Sequence, residues 1–203
     1  MKSPIHPGPV AWTGENPGIY LKDTQDGPWT GLMTFFRIFY SAHGMGQGVL
    51  VLDEPGLEQG LPEVRNFCIC DNEPLARYLV AEFFSQFMSF RVSPGIKAIS
   101  YLPLVEAHRE GDTLSTYREV VKSRDFEVVC SWTTLSPAYA VDMPPEKGPT
   151  KKHAMYSLFL DAGDASVTVN GRALRGKLAQ RDFADTKKST AFLAFSESWM
   201  RVE

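Results

Sequence analysis

Tyr117-Arg118-Glu119-Val120-Val121-Lys122-Ser123-Arg124-Asp125-Phe126-Glu127-Val128-Val129-Cys130-Ser131-Trp132 is the run that decides the architecture. Two β-branched stretches flank a short polar loop, which is the pattern of a hairpin. A four-residue loop, Ser123 to Phe126, sets Lys122 against Glu127 and Tyr117 against Trp132. One face then carries Tyr117, Glu119, Val121, Val128, Cys130 and Trp132. The other carries Arg118, Lys122, Glu127, Ser131 and Thr133. A slip of one residue would set Lys122 against Phe126 and mix the faces, so the pattern selects the first register.

That register puts Glu119 on an apolar face. A carboxylate buried without a partner costs several kcal/mol or takes up a proton. The plain reading is an ion pair or a hydrogen bond to Tyr or Arg. The sharper reading is a carboxylate facing a cavity.

Working outward, Met33 to Tyr40 reads as a strand that is apolar on both faces, interrupted by Arg37. Val49 to Leu52 reads as a second strand. Further strands are expected near 96–105, 114–122, 126–134, 154–161, 165–170, 172–178 and 190–201. Asn170-Gly171 between Val167, Val169, Arg172 and Leu174 is a type I′ hairpin signal. In the last strand Ala191, Leu193, Phe195, Glu197 and Trp199 alternate onto one face, which seats a second acid between aromatics. A helix is expected from about Pro74 to Met88, with Pro at its start and Leu75, Leu79, Val80, Phe83, Phe84 and Phe87 at helical spacing. Residues 142–152 read as a polar loop, and Glu106 to Asp112 as a polar turn.

Residues 1–31 are rich in Pro and Gly, with Trp12, Tyr20 and Trp29, and read as an extended arm with one short strand at Gly18 to Lys22. The expectation is a single domain spanning 1–203. Its fold class is mainly β, a β-rich α+β chain. The sheet is expected to be an antiparallel barrel or strongly curved sheet of about 8–10 strands, with one amphipathic helix near 74–88. That arrangement resembles a calycin in outline, although no lipocalin or fatty-acid-binding signature is present. A curved sheet gripping the helix is the alternative.

Composition narrows function by exclusion. The formal net charge is −3, so there is no basic field to hold phosphate backbones, and no nucleic-acid partner is expected. No apolar stretch approaches the ~20 residues of a membrane helix, and no apolar leader opens the chain, so a cytoplasmic location without a membrane partner is expected. Cys68-x-Cys70 and Cys130 number three, a poor disulfide framework, and read as small buried hydrophobes. The glycines of Ser41 to Gly48 resemble half of a phosphate-binding loop, but a strand follows where that loop needs a helix. The four histidines show no metal-ligand spacing. Neither a cofactor nor a metal is expected.

The expected site is a hollow surrounded by strands. Arg37, Phe39, His43, Tyr117, Glu119, Trp132, Tyr156 and Glu197 are its candidate ligand-binding residues, with Glu119 and Glu197 as candidate catalytic acids. Three functions follow. The first is binding of a small, largely apolar ligand, motivated by a 12% aromatic content carried on the strands. The second is a cofactor-independent isomerase, cyclase or lyase using a cavity carboxylate and Arg37. The third is an oligomer-forming scaffold in which the arm buries against another copy.

Overall fold

The structure is a computed structural model that describes residues 8–57 and 65–202. The first seven residues of the expected arm, His6 among them, lie outside the described residues. The fold is mostly strand, built around one large curved sheet.

The N-terminal half supplies β1 (Val10–Glu15), β2 (Gly18–Lys22), β3 (Trp29–Ser41), β4 (Gly46–Leu52) and β5 (Asn66–Cys70). Two short helices follow, α1 (Glu73–Glu82) and α2 (Met88–Arg91). Then come β6 (Ser100–Pro103), β7 (Glu106–Gly111), β8 (Thr116–Lys122), β9 (Glu127–Leu135) and β10 (Tyr139–Met143). The long β11 (His153–Val169), β12 (Arg172–Ala173), the hairpin β13 (Gln180–Phe183) and β14 (Thr186–Ser189), and β15 (Ala191–Arg201) complete the order.

Thirteen strands form the main sheet, ordered β6-β5-β4-β3-β1-β15-β11-β9-β8-β7, with β2, β10 and β12 paired off that path. This exceeds the 8–10 expected from sequence. Part of the surplus comes from the N-terminal segment. Its expected strand at Gly18 to Lys22 is present, but from Val10 onward the segment is no surface arm. β1 pairs with both β3 and β15, and Trp12, Ile19 and Tyr20 are buried. Aromatic and β-branched residues at alternate positions outweigh the Pro and Gly between them once neighbours on both sides satisfy the backbone. Glu106 to Gly111 is likewise a strand rather than a turn, paired with β8 along six residues. It is an edge strand, and its charged side chains suit an edge. The stretches expected at 154–161 and 165–170 are one continuous strand, β11.

The Tyr117–Trp132 hairpin has the expected register, Lys122 opposite Glu127 and Glu119 opposite Cys130. The Asn170-Gly171 turn is also present, with φ of 50° and 77°. Antiparallel pairing is not universal: β5 and β6 run parallel. A parallel pair needs a crossover, and residues 73–97, with both helices, supply it. The helix expected over 74–88 breaks at Phe83, whose φ and ψ are −123° and −65°. α1 is capped by the Asn72 side chain, which accepts from the Leu75 amide at 3.1 Å. A 3-10 turn at Phe84–Gln86 leads into α2.

Two apolar layers result. The inner face of the curve holds Ile19, Met33, Phe35, Val49, Val51, Phe67, Tyr117, Cys130, Trp132 and Leu193. The opposite face holds Trp12, Tyr20, Phe36, Leu50, Met143, Met155, Phe159, Phe192 and Trp199 against α1, α2 and Phe83. β3 is apolar on both faces because both are covered, one by the far side of the sheet and one by the helices.

Candidate functional site

The polar residues singled out in the sequence divide between the two faces. On the inner face Arg37 meets Glu119 in a two-pronged pair. Nη1 donates to Oε1 and Nη2 to Oε2, each at 3.1 Å. Arg37 also donates from Nη1 to Glu15 Oε2 at 2.6 Å and from Nε to Gln47 Oε1 at 3.1 Å. The Tyr117 hydroxyl donates to Glu119 Oε1 at 2.7 Å. Glu119 is fully buried. Four of the guanidinium's five N–H groups are therefore used within the chain. This cluster closes the end of the inner core across the curve, from β3 to β8. Trp132 lies deeper on the same face, its Nε1 donating to the Gly18 carbonyl at 3.1 Å. Burial pushes Tyr117 well above the usual phenol range, and the carboxylate beside it adds to the shift.

Glu197 lies on the other face. Strict alternation from Ala191 would have kept it with Leu193 and Phe195. A bulge intervenes: Leu158 pairs with Phe195 but Tyr156 pairs with Ser198, so β15 carries one extra residue. Ser196 takes it up with φ of 51°. The bulge turns Glu197 and Trp199 onto the face of Phe192 and Ala194, under the helical segment.

There the carboxyl borders a cavity of about 310 Å³. Its floor is Tyr20, Met155, Phe159, Phe192 and Trp199 from the sheet. Its roof comes from three directions: Phe87 and Met88 before and within α2, the loop at 147–151, and Arg181 and Phe183 of β13. Trp199 Nε1 donates to Glu197 Oε1 at 2.6 Å. Burial raises Glu197 from the ordinary 4.5 to about 7, against the opposing pull of the Trp199 and Ser157 hydrogen bonds and the Arg181 charge. Burial likewise lifts Tyr20 to about 12. The Arg181 guanidinium lies over the Phe192 ring at 4.0 Å and the Phe183 ring at 4.6 Å. Its Nε donates to the Ser189 carbonyl at 3.1 Å.

The remaining sequence candidates stand apart from this cavity. Phe39 and Tyr156 are 54% and 46% exposed, facing away from both apolar layers. His43 is exposed and stacks on Tyr78 with ring centroids 4.0 Å apart. Its carbonyl accepts from the Asn72 side chain at 3.1 Å, so this loop clasps the start of α1. Arg181, Phe159, Phe183 and Phe192 are among the cavity residues that the sequence did not single out. Arg181 sits in Gln180–Phe183, and the hairpin there turns at Ala184-Asp185, with φ of 49° and 61°. That dipeptide carries none of the usual Asn-Gly signal.

No protein-family profile, no curated protein and no solved structure gives a significant match to this chain. Fold and site therefore define its class: a curved β-sheet protein with an aromatic cavity on its helix-covered face, holding one buried carboxyl and one buried guanidinium. Among the described residues, no helix is long and apolar enough to cross a membrane.

Proposed function

We propose that this protein binds a small, largely apolar molecule in the cavity beside Glu197. The observation that carries the reading is a space of about 310 Å³, walled by Tyr20, Trp29, Phe159, Phe183, Phe192 and Trp199 and reached by a few convergent polar groups. Ligand pockets have that size and that balance of walls and anchors. We read the sheet as a barrel in outline, because the Leu104 amide bonds to Cys70 of β5 and the Val105 amide to Lys122 of β8, so one short segment ties both ends of the sheet order together. The pocket lies outside this wrap, between sheet and helices, whereas side chains fill the inner face.

N-phenyl-1-naphthylamine, a neutral dye that fluoresces in apolar surroundings, tests the reading. Wild type is expected to light it up at a single saturable site. Met88→Trp, at a mouth residue 55% exposed, is expected to weaken binding several-fold without changing the circular dichroism. Absence of saturable dye binding would remove the proposal.

A cofactor-independent isomerase or lyase is supported by one observation, the Glu197 pKa of about 7 inside the cavity. A carboxyl so tuned can give and take a proton near neutrality. Arg181, rather than Arg37, would face the developing oxyanion. Turnover of a cavity-bound compound that Glu197→Gln abolishes while binding persists would select this reading.

A further inference from the structure

Arg181 Nη2 is buried and has no hydrogen-bond partner among the described residues. The two flanking rings and the Ser189 carbonyl fix the guanidinium plane, so this N–H edge is held in place. No carboxylate of the described residues makes an ion pair with it. Asp161 is engaged by the Tyr139 hydroxyl at 3.0 Å and lies 3.6 Å from Lys188. Glu197 spends Oε1 on Trp199 and holds its proton up to about pH 7. A buried charged donor that the chain leaves without an acceptor is costly in a fold. An acceptor brought by a ligand would relieve it.

The mouth points to the sign of that ligand. Arg91, Lys147 and Lys151 stand around it, against Asp182 as the one acid there besides Glu197. Asp182 is paired with Lys187 at 2.8 Å and Lys147 with Asp185 at 2.6 Å, so Arg91 and Lys151 carry the excess. Such an excess of cations at an apolar opening attracts anions. The walls point to shape, since a lining that includes the rings of Tyr20, Phe159, Phe192 and Trp199 suits a flat conjugated body.

We propose that the occupant is a flat organic monoanion, an aromatic or conjugated carboxylate, with its acid group against Arg181 Nη2 and its ring system between the aromatic walls. This rests on the cavity being a binding site and adds the class of molecule that it selects. The protonated Glu197 carboxyl is a second donor for the same acid group or for a carbonyl or hydroxyl beside it.

2-Naphthoate and 2-naphthamide share one skeleton and differ in charge, so calorimetric titration of both, at about pH 6, separates the two levels of the argument. Wild type is expected to bind the carboxylate about tenfold tighter or more, as a charge-assisted hydrogen bond allows. Arg181→Gln is expected to erase that preference while still binding the amide, and Arg181→Lys to restore part of it. Equal affinities in wild type, or a preference for the amide, would overturn the monoanion assignment and leave the cavity as a site for neutral molecules. Binding of neither compound would overturn both. If Arg181→Gln does not fold, the wild-type comparison still decides.

Discussion

At the residue scale two of the three buried acids among the described residues, Glu119 and Glu197, stand in different surroundings, because the first is ion-paired and the second is not. Glu119 is enclosed by Arg37 and the Tyr117 hydroxyl. Removing the cation alone strands a buried charge, which costs about 3–5 kcal/mol, whereas replacing both partners by apolar groups is often close to neutral. Arg37→Met is therefore expected to lose about 3 kcal/mol in urea denaturation, and Arg37→Met combined with Glu119→Leu to regain most of it. Equal destabilisation by single and double variants would contradict the pairing. Glu197 accepts a hydrogen bond from Trp199 but makes no ion pair among the described residues, and burial, outweighing the Arg181 charge, raises its carboxyl from 4.5 to about 7. Below pH 4.5 the folded and unfolded chains both hold this proton. Between 4.5 and 7 the unfolded chain releases it while the folded chain keeps it. Stability therefore falls through that window, by on the order of 3 kcal/mol, and levels off above it. Glu197→Gln is expected to flatten this decline and to exceed wild type in stability at pH 8. A variant as steeply pH-dependent as wild type would show that another group causes the fall.

At the element scale β15 decides which acid faces the cavity. Its bulge moves Glu197 and Trp199 across the sheet, and Ser196 bears the left-handed φ that this requires. Ser196→Gly is expected to be neutral or to gain up to about 1 kcal/mol, and Ser196→Val to lose about 1–2 kcal/mol, since a β-branched residue resists φ above zero. Thermal denaturation measures both, and a destabilising glycine would argue against the bulge. The same element shows what was legible in the sequence and what was not. The 116–135 hairpin could be registered residue by residue because a one-step slip mixes charged and apolar faces. Glu197 was seen as an acid among aromatics, but a bulge at Ser-Glu-Ser leaves no trace in alternation, so its face came out reversed. Helix 74–88 was legible as apolar spacing. Its break at Phe83 was not, because Phe83 to Phe87 keeps helical spacing while the aromatic side chains settle between Trp12, His153 and Trp199.

At the scale of the whole molecule the Arg37–Glu119 cluster closes one end of the inner core, and the candidate cavity lies on the opposite face. The sequence showed aromatic strands with inward polar groups and so suggested a hollow within the strands. It could not show that α1, α2, the 147–151 loop and β13 roof a second face, because those contacts bring together separate segments of the chain and short hairpins carry weak local signals. The methionines report on both faces: Met143 and Met155 border the cavity, and Met33 lies in the inner core. Methyl NMR of methionine-labelled protein during titration with N-phenyl-1-naphthylamine is thus the most direct test. Saturable shifts at Met143 and Met155 with Met33 unmoved are predicted. Shifts led by Met33, or none at any of the three, would contradict the account.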